Sequence, residues 1–353
     1  MSRLLKKVPN INIRGYSSLQ NKMQAIQISK LGGIEVLENV TLPIPKPSPT
    51  QLLVKNEFAG VNFIDTYFRT GLYMPPLPTI LGEEGAGTVV DIGSQVSDFE
   101  VGDRIAFMTS FQGYAEYATI DPKKAIKLPP NVPTDIGCAT LIQGLTAYTL
   151  IERSYKVTKN DTVLIHAAAG GTGRLLVQLC RHIGATVIGT TSSEEKGKIA
   201  LEDGCDHVIN YSTEDVPSRI KELTNGKMVD VVFDGVGKAT FWKSFDSLKY
   251  CGTLVSFGNA SGKVEPIEIN ILSKKNLVLL RPTLHWYITT KEEFTNYSKK
   301  LFDLVQNGTL KVNISKIFDL KDAAQAHTFM ESRLSTGKVL LRIGSHNQIK
   351  SKQ

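Results

Sequence analysis

The stretch that most limits how this chain can fold is His166-Ala167-Ala168-Ala169-Gly170-Gly171-Thr172-Gly173. It follows an apolar run at 162–165 that reads as a short buried strand. It precedes a helical pattern over 174–183, with apolar residues at Leu175, Leu176, Leu179 and Ile183. A strand, a glycine-rich turn and a helix N-terminus together form a phosphate pocket. The first N–H groups of the helix lack partners within it, and glycine lets the backbone approach a ligand closely. The turn departs from the usual G-x-G-x-x-G spacing, so its surroundings must support the reading. They do. Strand-like runs follow at 186–190, 208–210, 229–234, 252–257 and 277–280, most of them separated by helical patterns. This is the sequence form of an α/β fold with a doubly wound parallel sheet, the Rossmann arrangement. Right-handed crossovers then put the glycine-rich turn at the carboxyl edge of the sheet, where dinucleotides bind.

The end of the second strand indicates which dinucleotide. In this fold an acidic residue near that point holds the ribose 2′-hydroxyl of NAD. Here the strand ends Thr190-Thr191-Ser192-Ser193, with no carboxylate at the tip, and Lys196 follows. Small hydroxyls and a cation suit a 2′-phosphate, which a carboxylate would repel. The expected coenzyme is NADPH rather than NADH, with Ser192 and Lys196 at the phosphate and Tyr211 covering the adenine side. Glu194 and Glu195 read as solvated in the first turn of a helix, where negative charge is favourable.

Charge narrows the remaining choices. The 353-residue chain carries a formal +7, but residues 1–22 hold five Lys and Arg and no acid, so the rest carries only 7 − 5 = +2. That balance gives no electrostatic support to nucleic-acid binding as the main function. The basic start, with Ser2, Ser17 and Ser18, matches a mitochondrial transit signature, and Arg14-Gly15-Tyr16-Ser17-Ser18 resembles a processing site after Tyr16. The alternative is a plain tail on a cytoplasmic protein. No apolar run is long enough to cross a membrane as a helix. Cys138, Cys180, Cys205 and Cys251 are scattered, without a C-x-x-C pair, and read as small core residues. His182 and His207 read as helix or loop residues, not metal ligands.

Residues 23–143 have a different character. Strand-like runs at 51–55, 87–90, 104–107 and 114–118 are punctuated by Gly85, Gly93, Gly102 and Gly113, the pattern of a compact barrel-like domain. The pattern returns at 315–318 and 338–343. The dinucleotide domain is therefore expected as an insertion over 144–284, with 285–344 returning to the first domain and 345–353 a tail. The cleft between the two units would hold the substrate.

At this point the chain resembles the zinc-independent medium-chain dehydrogenase/reductases, close to the quinone oxidoreductase (zeta-crystallin-like) family. The resemblance spans about residues 23–343. It rests on Ala59-Gly60-Val61-Asn62-Phe63-Ile64-Asp65-Thr66-Tyr67, Gly71-Leu72-Tyr73, Leu81-Gly82-Glu83-Glu84-Gly85-Ala86-Gly87, Gly102-Asp103-Arg104, the Gly170 turn, Val255-Ser256-Phe257-Gly258-Asn259, Arg281-Pro282 and Glu331-Ser332-Arg333. It implies a GroES-like first domain and a homodimer through the last strand of the parallel sheet. Zinc enzymes of the superfamily have a cysteine where Asn62 stands and a histidine where Glu83 stands. Zinc needs thiolate or imidazole donors converging on one point, so no metal is expected. Glu83 and Glu84 read as braces for their own glycine-rich turn through backbone hydrogen bonds, with acids in the cleft as the alternative.

The resemblance also implies the site. Asn62 can donate and accept hydrogen bonds, and grips the nicotinamide ribose or the substrate carbonyl. Tyr67 contacts the cofactor and Tyr73 lines the substrate pocket, and either phenol can donate to a developing oxyanion. Asn62, Tyr67 and Tyr73 are the expected catalytic residues. Thr146 lies near the nicotinamide, and Ser256, Phe257, Gly258 and Asn259 pass beside the same ring. Gly170, Gly171, Thr172 and Gly173 take the pyrophosphate. Arg333 reaches the cofactor from the C-terminal segment. Arg174, where the family tends to be apolar, is expected to add a phosphate contact or to lie in solvent. The expected activity is NADPH-dependent reduction of small quinones or related enones. Reduction of an enoyl or alkenal double bond is the alternative enzyme, and AU-rich RNA binding, a role assigned to members of the family, is the alternative outside enzymes.

Overall fold

The computed structural model describes residues 21–344, so the targeting segment (all but its last two residues) and the tail lie outside the described residues. The chain first builds β1 (Lys22–Ile28), β2 (Glu38–Pro43), β3 (Leu52–Val61), α1 (Phe63–Thr70), β4 (Thr79–Ile80), β5 (Glu84–Ile92), β6 (Arg104–Met108), β7 (Tyr117–Ile120) and β8 (Ala125–Lys127). Helix α2 (Thr134–Thr149) leads out of this unit. The second unit follows as β9 (Thr162–Ile165), α3 (Gly171–Ile183), β10 (Thr186–Thr191), α4 (Glu194–Glu202), β11 (His207–Asn210), α5 (Val216–Leu223), β12 (Val229–Asp234), α6 (Phe241–Ser247), β13 (Leu248–Ser256) and β14 (Val278–Leu280). The chain ends with α7 (Lys291–Gln306), β15 (Ile314–Asp319), α8 (Ala323–Glu331) and β16 (Lys338–Arg342).

Six strands form one parallel sheet in the order β11-β10-β9-β12-β13-β14. The order reverses between β9 and β12, so the crevice beyond β9 is the switch point, and the glycine-rich turn leaves from there. Helix α3 buries Leu175, Leu176 and Leu179 against that sheet and stops at Gly184, whose φ of 93° closes the C-terminal turn.

The C-terminal strands join the barrel sheet, ordered β15-β16-β3-β5-β6-β8. Strand β16 pairs antiparallel with β3, Val339 opposite Val61, and β3 pairs with β5, Ala59 opposite Gly85. These two registers bring Lys338 beside Asn62 and Glu84 beside Gly60. Helix α2 runs through residue 143 and packs on both units, so Ala86 and Met108 of the barrel share one core with Val163 of β9 and Leu176 of α3.

Some expectations change. Cys138, Cys180 and Cys205 are buried, but Cys251 is exposed, on a left-handed residue (φ 59°) within β13. His207 opens β11 and is neither helix nor loop. The fourth barrel strand starts at Tyr117, and Tyr114 before it is fully buried, its hydroxyl donating to Asp65 Oδ2 at 2.9 Å.

Candidate active site

A cleft of about 330 Å³ runs between the two units, bordered by Asn62, Tyr67 and Glu83 on the barrel side and by Gly170–173, Phe257 and Gly258 on the sheet side. One end is built from backbone. Gly170 is the N-cap of α3, and the first turn contains no acidic residue. Its free N–H groups face the cleft with nothing negative beside them. A Cβ on Gly173 would sit 2.2 Å from the Ala167 carbonyl oxygen, so only glycine lets α3 start this close to β9. Arg174 does neither thing expected of it. Its Nε donates to Asp203 Oδ2 at 2.6 Å, its Nη2 to Asp203 Oδ1 at 3.1 Å and its Nη1 to the Thr336 carbonyl at 3.0 Å. It fastens α3 to the C-terminal segment instead of reaching a ligand.

Beyond the glycines, β10 ends at Thr191, and the Ser193 hydroxyl accepts from the Lys196 N–H at 3.4 Å to cap α4. Glu194 and Glu195 are exposed, and hydrogen bonding from Ser193 holds the Glu195 carboxyl below its ordinary range. Lys196 Nζ donates to the Arg333 carbonyl, and burial, with the Arg333 charge adding to it, lowers the Lys196 pKa. Arg333 sits in the left-handed region (φ 62°) just after α8. Tyr211 N–H donates to the Thr191 carbonyl at 3.0 Å, and Ser212 Oγ to the Ser192 carbonyl at 3.0 Å. Ser192, Lys196, Tyr211 and Arg333 thus lie around the end of β10. Two cations there share space with no carboxylate between them.

The other end is built from side chains. Glu84 and Lys338 are fully buried and form an ion pair. Asn62 Nδ2 donates to Glu84 Oε1 at 2.9 Å, Lys338 Nζ donates to Asn62 Oδ1 at 2.6 Å, and Ile142 N–H donates to Glu84 Oε2 at 2.7 Å. A Cβ on Gly60 would lie 2.7 Å from Glu84 Cγ, so the carboxylate can cross the sheet only over a glycine. Both amide atoms of Asn62 already have partners within the protein, and one lone pair on Oδ1 remains for a ligand. Glu84 does not brace its local turn; it holds Lys338 and reaches the middle of α2. Glu83 accepts from the Phe111 N–H at 3.4 Å and faces His285, with Oε2 3.4 Å from Nε2.

Tyr67 and Tyr73 border the cleft, their rings edge to face at 5.4 Å. The Tyr67 hydroxyl accepts from the Asn259 N–H at 2.8 Å, and burial pushes its pKa up to about 12. The Tyr73 hydroxyl accepts from Arg281 Nη2 at 3.2 Å. With the Asn259 amide oxygen turned towards them, that oxygen accepts from Arg281 at 2.9 Å and from Tyr73 at 3.3 Å. Both phenols tie the barrel to the parallel-sheet unit. Arg281 Nη1 also donates to the Ser256 carbonyl at 2.7 Å. Thr146, Phe257 and Gly258 border the cleft, while Ser256 is buried behind it and Asn259 supports it.

Sequence reasoning missed Glu84 with Lys338, Glu83 with His285, and the role of Arg281. A lysine directly before the apolar run 339–341 was the one visible signal. Among the described residues no three His, Cys, Asp or Glu side chains converge as a cation site would need.

Fold and cleft together define a medium-chain dehydrogenase/reductase, an oxidoreductase with a GroES-like unit and a dinucleotide-binding unit. Residues 48–130 match the alcohol dehydrogenase GroES-like domain model, and residues 171–304 match the model described as zinc-binding dehydrogenase. The chain is 45% identical over 317 residues to a probable quinone oxidoreductase of Schizosaccharomyces pombe, covering 90% of this chain and 96% of that one. It is 39% identical over 328 residues to a 2-haloacrylate reductase of a Burkholderia species, covering 90% and 98%. Among solved structures, Escherichia coli quinone oxidoreductase complexed with NADPH superposes with a TM-score of 0.89 at 41% identity, covering 90% and 99%. The chain belongs to the quinone oxidoreductase family of the medium-chain dehydrogenase/reductases.

Proposed function

We propose that this protein is an NADPH-dependent reductase of small quinones. The observation that carries the coenzyme assignment is the end of β10, where Lys196 and Arg333 meet with no acid between them. The glycine turn at the start of α3 fits a pyrophosphate, since glycine at 173 lets the helix N-terminus start close against Ala167. Gly170, Gly171, Thr172 and Gly173 hold the pyrophosphate. Ser192, Lys196, Tyr211 and Arg333 hold the adenosine 2′-phosphate end. Asn62, Tyr67, Thr146, Phe257 and Gly258 enclose the nicotinamide end, with Ser256 and Asn259 behind them. When bound, NADPH supplies a hydride. The protein's residues position the acceptor, and the apolar walls at Met108, Ile142 and Leu284 exclude water from it.

A second reading, reduction of an activated C=C bond, draws support from the likeness to the 2-haloacrylate reductase. Turnover of 9,10-phenanthrenequinone, a simple enone, 2-chloroacrylate and a 2-enoyl thioester at fixed NADPH separates the two. The first reading predicts the fastest turnover with the quinone; rates confined to the enoyl thioester or the haloacrylate overturn it.

Two finer assignments belong to the same proposal. A homodimer forms along β14, the edge strand of the parallel sheet, whose Val278 is 53% exposed. The basic start of the chain directs it to mitochondria, which a fusion of residues 1–22 to a fluorescent protein tests.

A further inference from the structure

Hydride delivery to a quinone leaves a negative charge on an oxygen, and that oxygen needs a proton. The structure assigns this proton to His285, oriented by Glu83. The assignment rests on the proposed quinone reductase activity.

The pair is built across the cleft. Glu83 enters from the barrel, directly before β5, and its carboxylate is 4% exposed. His285 enters from the other unit, in the short helical turn Leu284–Tyr287 after Arg281-Pro282, and is 39% exposed. Their Nε2 and Oε2 atoms lie 3.4 Å apart, and both residues border the same cavity as Asn62 and Phe257. The nearly buried Glu83 carboxylate faces Nε2 and so orients the ring in the cavity wall. The exposed side of the ring gives a path for reprotonation from water.

The other ionisable groups that border the cavity are committed elsewhere. Tyr67 accepts from Asn259 N–H, and its proton is held with a pKa of about 12. Tyr73 is tied to Arg281. Lys338 is spent on Glu84 and Asn62. His166 lies in the cavity wall but is buried, with Nδ1 3.0 Å from Thr190 Oγ1 and Nε2 3.0 Å from Ser244 Oγ, and burial lowers its pKa. Tyr287 contacts Ser154 Oγ at 3.1 Å. His285 alone combines an unspent ring nitrogen, a buried carboxylate partner and access to solvent.

The step balances. The acceptor gains a hydride, two electrons and one hydrogen, and becomes the hydroquinone anion. Its O–H bond forms as an N–H bond of the imidazolium breaks. The neutral imidazole then takes a proton from water, so one proton from solution is consumed per turnover.

The test uses the full-length protein with NADPH and 9,10-phenanthrenequinone. His285→Gln is expected to lower kcat by about 100-fold or more, the usual worth of a positioned acid. The Kd for NADPH, read by fluorescence, should change by less than about twofold. The alkaline fall of the wild-type pH–rate profile should disappear in this variant. His285→Ala should recover activity in imidazole buffer in proportion to imidazolium concentration, which a packing role would not produce. Glu83→Gln should slow turnover less, and the double variant should be no slower than His285→Gln alone. An unchanged kcat and pH profile in His285→Gln, or no imidazole rescue of His285→Ala, overturns the assignment and leaves the quinone reductase reading standing. Failure of the wild-type protein to reduce any quinone overturns both.

Discussion

The two ends of the cleft are made in different ways. The phosphate end is a local object: one strand, one turn and the first turn of one helix, within residues 162–183, present backbone N–H groups. The acceptor end is a distant one. Asn62 follows β3 as the N-cap of α1, Glu84 opens β5 and Lys338 opens β16, and the hydrogen bond between Lys338 and Asn62 spans 276 residues of sequence. Backbone at the first end offers N–H groups with no side chain to select among anions. Side chains at the second fix a geometry that depends on the registers of β16 on β3 and of β3 on β5. The contrast predicts that damage at the acceptor end registers first as lost stability, and damage at the phosphate end as lost affinity.

The largest expected effect breaks the buried pair. Lys338→Met leaves the Glu84 carboxylate without its cation and should cost roughly 3–5 kcal/mol in urea unfolding. Adding Glu84→Leu to it should return most of that loss. A loss below about 1 kcal/mol would mean that the pair is not the support described. Next is Gly173→Val, whose side chain collides with the Ala167 carbonyl. It should weaken NADPH binding by about 100-fold, the equivalent of about 2.7 kcal/mol, as read by coenzyme fluorescence. Lys196→Ala should raise KM for NADPH by about tenfold and leave KM for NADH nearly unchanged, because it removes one charged contact to the 2′-phosphate. Equal losses for both coenzymes would place Lys196 elsewhere.

The smallest effect probes the support behind α1. Burial pushes the Asp65 carboxyl up from 3.8 to about 7. A raised carboxyl favours the folded state at low pH, and that contribution is lost as pH rises from 3.8 through about 7. Burial, reinforced by Arg69, depresses His327 from 6.5 to about 3, so its contribution is present above 6.5 and lost as pH falls towards 3. The two oppose each other in that window. Asp65→Asn removes the first, so the variant should lose stability more steeply than the wild type between about pH 7 and about pH 4.5. Parallel urea midpoints in the two proteins would contradict this.

The same contrast explains what the sequence disclosed. The parallel sheet was legible because each strand is a short apolar run with its own turn signals, and its glycine cradle is contiguous. The absence of an acid after Thr191 was legible for the same reason. Glu84 was visible as a residue but not as a partner, since nothing in the spacing of 84 and 338 states a strand register. Arg174 was misread because Asp203 and the Thr336 carbonyl, which hold it, come from separate parts of the chain. The partners of the Asn62 side chain were not legible because they lie 22 and 276 residues away.

The central claim is that the end of β10, with Lys196 and Arg333, recognises a 2′-phosphate. Calorimetric titration of the wild-type protein with NADPH and with NADH, in one buffer, tests it directly. The account predicts one NADPH per chain, bound at least about tenfold more tightly than NADH. Equal affinities, or tighter binding of NADH, would contradict it.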